Sequence, residues 1–231
     1  ESIPYWHQVG LPIREAHGDR LWPHPALAVG ALPAFSAPIG WRGSALPRFD
    51  PSLCTGCGAC WSLCPHGAIG VRVLPPAALV ERALEAAGRA GASAETLRRF
   101  AGKLAAEWGR RIEDAVGGAA GPLLEAAAEP VLGGAGLDVD KLAAARVALA
   151  AVRAQLEPLD LVATDIFYSE PEAASRGSGE LLALAIDPDR CSGCGLCGDV
   201  CEPLALAMTP RHPELAAAAR ATAAALAALP E

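Results

Sequence analysis

Apolar positions recur at three- and four-residue spacing through the middle of the chain. Leu97, Phe100, Leu104, Trp108, Ile112 and Val116 form one stripe, and Arg98, Arg99, Lys103, Arg110, Glu113 and Asp114 fall on the other face. This is the period of an amphipathic helix, with Ser93 as its expected N-cap and Gly117-Gly118 as its stop. Leu79, Ala83, Leu84 and Ala87 predict a helix over Ala77 to Ala87, and Leu142, Leu149, Val152 and Leu156 predict another over Val139 to Glu157, stopped by Pro158. Four shorter apolar segments read as strands: Pro47 to Asp50, Ile69 to Val73, Leu181 to Ile186 and Leu204 to Met208. Phe167 and Tyr168 precede Ser169 to Gly179, whose Ser, Glu and Gly content reads as a loop returning to the third strand.

The helical stripes read first as core faces that pack on one another. The outer Arg98/Arg99 and Arg110/Arg111 pairs read as a solvated face with partners such as Glu107 and Arg111 at i,i+4. Steering of an acidic protein partner is the functional alternative for them.

Composition sharpens this picture. Of 231 residues, 51 are Ala and only 5% are aromatic, so the core must be built from closely packed helices. The net charge of −7 argues against a nucleic-acid partner, which calls for a basic face. Seventeen of the 19 basic residues are Arg, a compositional bias rather than a phosphate site. The longest uncharged run, Leu21 to Trp41, contains Pro23, Pro25, Pro33 and Pro38, so no membrane-spanning helix is expected. With no leader of charged start and apolar centre, the expected location is cytoplasmic. Beginning at Glu1, the sequence reads as a piece of a longer chain.

Eight cysteines decide the chemistry. Cys54, Cys57, Cys60 and Cys64 form one C-x2-C-x2-C-x3-C run, and Cys191, Cys194, Cys197 and Cys201 form another. Disulfides among four cysteines within eleven residues would be short-range and strained. Structural zinc sites usually draw two C-x2-C pairs from separate hairpins, which fits poorly. Three closely spaced thiolates on a tight loop can instead reach three corners of a [4Fe–4S] cubane. Gly56, Gly58, Gly193 and Gly195 keep side chains away from the cluster and let backbone N–H groups turn toward sulfur. Pro65 and Pro203 stop the short helices that follow. Glu202 stands where the first run has Pro65, which removes no ligand.

These runs resemble those of bacterial two-cluster ferredoxins, in which the fourth cysteine serves the other cluster. The resemblance implies one cluster on Cys54, Cys57, Cys60 and Cys201, and a second on Cys191, Cys194, Cys197 and Cys64. The expected fold is α+β: a bacterial-ferredoxin-like pseudo-two-fold core, with a large Ala-rich helical insertion in the 126 residues between Cys64 and Cys191. Expected domains are an N-terminal extension (1–46), the first half of the ferredoxin-like domain (47–74), the insertion (75–180), the second half (181–210) and a C-terminal helical segment (211–231).

More specifically, Phe49 to Ile69 and Leu182 to Met208, with Pro25 to Ala37 ahead of them and the long insertion between, resemble the two-cluster domain of pyruvate:ferredoxin and related 2-oxoacid:acceptor oxidoreductases. That resemblance implies an electron relay fed by thiamine diphosphate bound in a partner domain or subunit, with ferredoxin or flavodoxin as acceptor. The alternative is a stand-alone carrier or the iron–sulfur subunit of another redox complex. The GDG-type thiamine motif is lacking: Gly18-Asp19 and Gly198-Asp199 are not followed by Gly. The chain therefore reads as a component without a substrate site.

The remaining candidates are minor. His7, His17, His24, His66 and His212 form no spaced metal pair; His66, two residues after Cys64, reads as a surface residue before a donor to cluster sulfur. Trp61 reads as packing over the cluster. Ser52 and Ser192 have no accompanying base for nucleophilic catalysis. Counting Asp187, Asp189, Asp199 and Glu202 against Arg190, the sequence assigns the lower potential to the second cluster.

Overall fold

A computed structural model describes residues 43–91, 93–114 and 120–230. The N-terminal extension as far as residue 42, with Pro25 to Ala37, His7, His17, His24 and Gly18-Asp19, lies outside the described residues, as do Val116 and Gly117-Gly118.

Strand β1 (Ala45–Phe49) leads through a short 3-10 turn at Pro51–Leu53 into the first cysteine run. Helix α1 (Ala59–Ser62) carries Cys60, and β2 (Ile69–Leu74) follows. Strand β4 (Leu181–Ile186), helix α8 (Leu196–Asp199) and β5 (Leu206–Pro210) repeat the same order around the second run. Strand β1 pairs antiparallel with β5, Phe49 facing Leu206, and β2 pairs antiparallel with β4, Ile69 facing Ile186. First half and second half thus exchange strands. The repeat extends to single bonds: the Asp50 amide donates to the Ala205 carbonyl at 2.8 Å, and the Asp187 amide to the Ala68 carbonyl at 2.7 Å. This is an α+β, ferredoxin-like arrangement.

Between the halves lie helices α2 (Pro76–Arg89), α3 (Glu95–Arg98), α4 (Ala101–Asp114), α5 (Leu123–Gly133) and α6 (Val139–Leu156). They bury the expected stripes, including Leu79, Leu84, Leu104, Trp108, Val152 and Leu156. Alanines at the contacts, such as Ala83, Ala127 and Ala148, let the helices approach closely. The Trp108 Nε1 donates to the Ala120 carbonyl at 2.9 Å, so the one polar atom of this buried ring is satisfied. Asp138 caps α6 by accepting from the Lys141 amide at 2.8 Å.

Several local expectations are revised. The stripe from Leu97 is two helices, broken at Arg99–Phe100, and its cap position is held by Ala94 without a side-chain bond, not by Ser93. Helix α5 was not anticipated. A short strand β3 (Asp160–Val162) joins β4 on the edge away from β2, Leu161 facing Ala183. The expected loop from Ser169 is partly helical: a π-turn at Asp165–Ser169 runs into α7 (Glu170–Ala174). Helix α9 (Pro213–Ala227) closes the described chain.

Strand β4 is buried along its whole length. Its Leu181, Ala183 and Ala185 join the helical core, while Leu184 and Ile186 join a smaller core with Leu46, Leu206 and the cysteines. The period-2 alternation of a strand thereby links two cores of different make-up.

Candidate metal centres

Each cysteine run sits on a loop shaped by left-handed glycines. Gly56 and Gly58 have φ of 76° and 86°, and Gly193 and Gly195 have φ of 74° and 86°. The loops therefore follow the same path, one that residues with a Cβ rarely adopt. Space is also short. A Cβ on Gly193 would lie 2.6 Å from the Ala45 carbonyl oxygen, and one on Gly56 would lie 2.9 Å from Thr164 Oγ1 and 3.1 Å from the Phe167 ring.

The fold gathers the eight thiols into two sets that do not follow the sequence grouping. One cavity is lined by Cys54, Cys57, Cys60 and Cys201, with Trp61 and Phe49. The other is lined by Cys64, Cys191, Cys194 and Cys197, with His66 and Ser192. All eight are free thiols; Cys57 and Cys194 are exposed and Cys201 is buried. A groove between β1, β4 and α9 contains no cysteine and meets the first thiol set only through shared Phe49, Leu184 and Ala205.

The surroundings suit thiolates bound to iron. Burial raises the thiol pKa at Cys54, Cys191 and Cys197, and pushes Cys60 up to about 12. Opposing this, backbone N–H groups of Gly56, Trp61, Gly193 and Gly198 hydrogen-bond to the sulfurs of Cys54, Cys60, Cys191 and Cys197. The Ala68 amide donates to Cys64 Sγ at 3.3 Å. Half-buried thiolates with amide donors need a positive partner, which iron supplies as it displaces the protons. Among the described residues no group of three or more His, Cys, Asp or Glu is arranged to hold a single metal ion. Four thiolates set around a cavity rather than around one point suit a multi-iron cluster, whose corners take one thiolate each.

Comparison with known families agrees with this chemistry. Residues 47–70 and 184–206 each match the 4Fe-4S binding domain. The chain carries two such motifs, the layout of a two-cluster ferredoxin-type domain for electron transfer. No curated protein and no solved structure matches the chain. Among the described residues no helix is long and apolar enough to cross a membrane.

Four neighbours of the sites had no distinct signal in the sequence. Thr164, buried, accepts from the Phe167 amide at 3.3 Å, and both residues cover Gly56. Ser192 Oγ is buried without a partner beside the second thiol set. Arg211, just past β5, donates to the carbonyls of Cys191 (3.4 Å) and Pro188. Trp61 packs beneath Gly58, where a Cβ would lie 3.2 Å from its ring. The Arg98/Arg99 and Arg110/Arg111 pairs are mostly surface groups: Arg99 meets Glu95, Arg110 meets Glu107 and Asp114, and Arg111 meets Glu107.

Proposed function

We propose that Cys54, Cys57, Cys60 and Cys201 hold one [4Fe–4S] cluster, that Cys191, Cys194, Cys197 and Cys64 hold a second, and that the chain passes electrons singly between redox partners. Such clusters supply reversible one-electron chemistry when bound. The chain's own groups fix the thiolates, donate amide hydrogen bonds to sulfur and keep water off with Trp61, Phe49 and Phe167. The observation that carries this reading is the lining of each cavity by three cysteines of one run and the fourth of the other.

The assembly we propose for it is a 2-oxoacid:acceptor oxidoreductase of the pyruvate type. Thiamine diphosphate would then reside in a partner domain or subunit, with ferredoxin or flavodoxin as acceptor. The motif sequences and the 126 residues separating Cys64 from Cys191 support it. Residues 75–180 form the inserted helical part in this reading, and the compartment is the cytoplasm.

Anaerobic reconstitution tests the first step: about eight iron and eight sulfide per chain, with the EPR of interacting reduced clusters, are expected. Tightly bound zinc without acid-labile sulfide would sink it. The second step is tested in the native assembly, where pyruvate should reduce the clusters in a thiamine-dependent manner. Reduction by hydrogen or by another dehydrogenase substrate would transfer the chain to a different redox complex.

A further inference from the structure

This inference rests on the two-cluster reading. We infer that the thiolate set Cys191, Cys194, Cys197 and Cys64 holds the higher-potential cluster, that Arg211 raises it, and that electrons therefore run from the first set to the second. This reverses the order obtained by counting carboxylates along the sequence, because the fold redistributes those charges.

Asp189 is taken by Arg220 of α9, whose Nε and Nη2 donate to its two oxygens at 2.8 and 2.9 Å. Asp187 turns one oxygen to the amides of Asp189 and Arg190, at 2.8 and 3.4 Å, and the other to the Arg190 guanidinium at 3.4 Å. Glu202 directly follows Cys201, and its neighbours Val200 and Pro203 line the first cavity, so its charge belongs with the other cluster. Asp199 is exposed on α8 and lines neither cavity. Arg72, on β2 after the first run, lines neither cavity.

Arg211 then adds a fixed cation. Its guanidinium, part-buried, holds the Pro188 and Cys191 carbonyls, which places it against the loop of the second set. The same charge favours the reduced cluster, which carries one more negative charge, and it acts strongly where water screens poorly. In the repeat, the position of Arg211 after β5 corresponds to Leu74 at the end of β2, so the first set lacks this cation.

Two neutral features point the same way. The buried, unpartnered Ser192 hydroxyl beside the second cavity can donate to sulfur, a bond that raises potential. Its counterpart Thr55 is exposed. The first set has buried Cys201 and the Phe167 ring against Gly56, surroundings that disfavour added charge.

The test is an EPR-monitored redox titration of the full reconstituted chain and of its Arg211→Gln, Arg211→Lys and Ser192→Ala variants. Arg211→Gln should lower the higher of the two midpoints about tenfold in its reduction equilibrium, about 59 mV for one electron, and leave the lower one in place. Arg211→Lys should retain most of the wild-type value, and Ser192→Ala should lower the same midpoint by a smaller amount. If Arg211→Gln loses the second cluster, Ser192→Ala still reports which midpoint belongs to it. A shift of the lower midpoint, or of neither, in a chain with full iron and sulfide overturns the ordering alone. A wild-type chain that never assembles two clusters overturns the two-cluster reading beneath it.

Discussion

Leu204 adopts φ 59° at the place in the second half that Gly67 fills in the first, at φ 54°. Each follows its fourth cysteine by three residues, and each amide donates back to that cysteine's carbonyl, at 2.9 Å for Leu204 and 3.2 Å for Gly67. The backbone path is common to both, and only Gly67 suits it. A left-handed residue with a Cβ costs about 1–2 kcal/mol, against which glycine loses about 0.5–1 kcal/mol of chain entropy.

Leu204→Gly should therefore stabilise the folded chain by about 0.5–1 kcal/mol, since at 69% exposure Leu204 has little packing to lose. Gly67→Leu should cost about 1 kcal/mol, with nothing within 4 Å of the new Cβ to add a clash. Urea unfolding of the reconstituted proteins measures both. A loss of stability in Leu204→Gly would mean that the exposed side chain makes a contact outweighing the strain.

Glycines of the cysteine loops should rank by what their missing Cβ would meet. Gly195→Ala introduces backbone strain alone, because no atom lies within 4 Å. Gly56→Ala presses on Thr164 Oγ1 and the Phe167 ring, whose side chains can shift. Gly193→Ala drives a Cβ to 2.6 Å from the Ala45 carbonyl, where backbone must move. We expect costs of about 1 kcal/mol for Gly195→Ala and at least about 2 kcal/mol for Gly193→Ala, with iron lost from the second set first. Equal effects at both positions would show that the left-handed conformation, and not the approach to β1, decides.

Ligand crossing makes a prediction that sequence grouping would not. Cys64→Ser should alter the cluster on Cys191, Cys194 and Cys197, and Cys201→Ser the one on Cys54, Cys57 and Cys60. Resolved EPR spectra of the two variants check this. If each substitution changes only the cluster of its own run, the exchange between halves is wrong.

What could be read beforehand followed from spacing and period. The two cysteine runs, their glycines and the strongly striped helices around Leu84, Trp108 and Val152 were visible because each repeats a geometric interval. Helix α5 was not, since its buried Leu124, Ala127, Ala128 and Leu132 lie among Gly and Pro, with Pro130 inside the helix. Strand β3 has three residues, too few to show alternation. The break at Arg99–Phe100 interrupts a stripe that continues across it, so the pattern alone looked like one helix. Arg211 and Ser192 take their place beside the second set from strand exchange and loop closure, and a charge count along the sequence misses such relations: Asp189 is held by Arg220, 31 residues away.

The two cores should respond separately to substitution and to iron removal. Trp108 is fully buried among the helices, and its Nε1 holds the Ala120 carbonyl. Trp108→Phe should cost about 0.5–1.5 kcal/mol for the lost hydrogen bond, because the Ala120 carbonyl keeps the Leu123 amide at 3.2 Å, and Trp108→Ala about 3–5 kcal/mol because a cavity remains. Neither should change the EPR of the clusters, since the ring belongs to the core on the Leu181, Ala183 and Ala185 face of β4 and not to the one on the Leu184 and Ile186 face. Chelating the iron should act in the opposite sense. The cysteine-lined core buries Leu46, Ile69, Leu184, Ile186 and Leu206, while Phe49, Trp61, Val71 and Leu215 are only partly buried against it, so its loops should loosen while the helical signal in far-UV circular dichroism persists. Loss of all helix on iron removal would mean that β4 transmits the collapse of one face to the other, and that the two cores fold as a single cooperative unit.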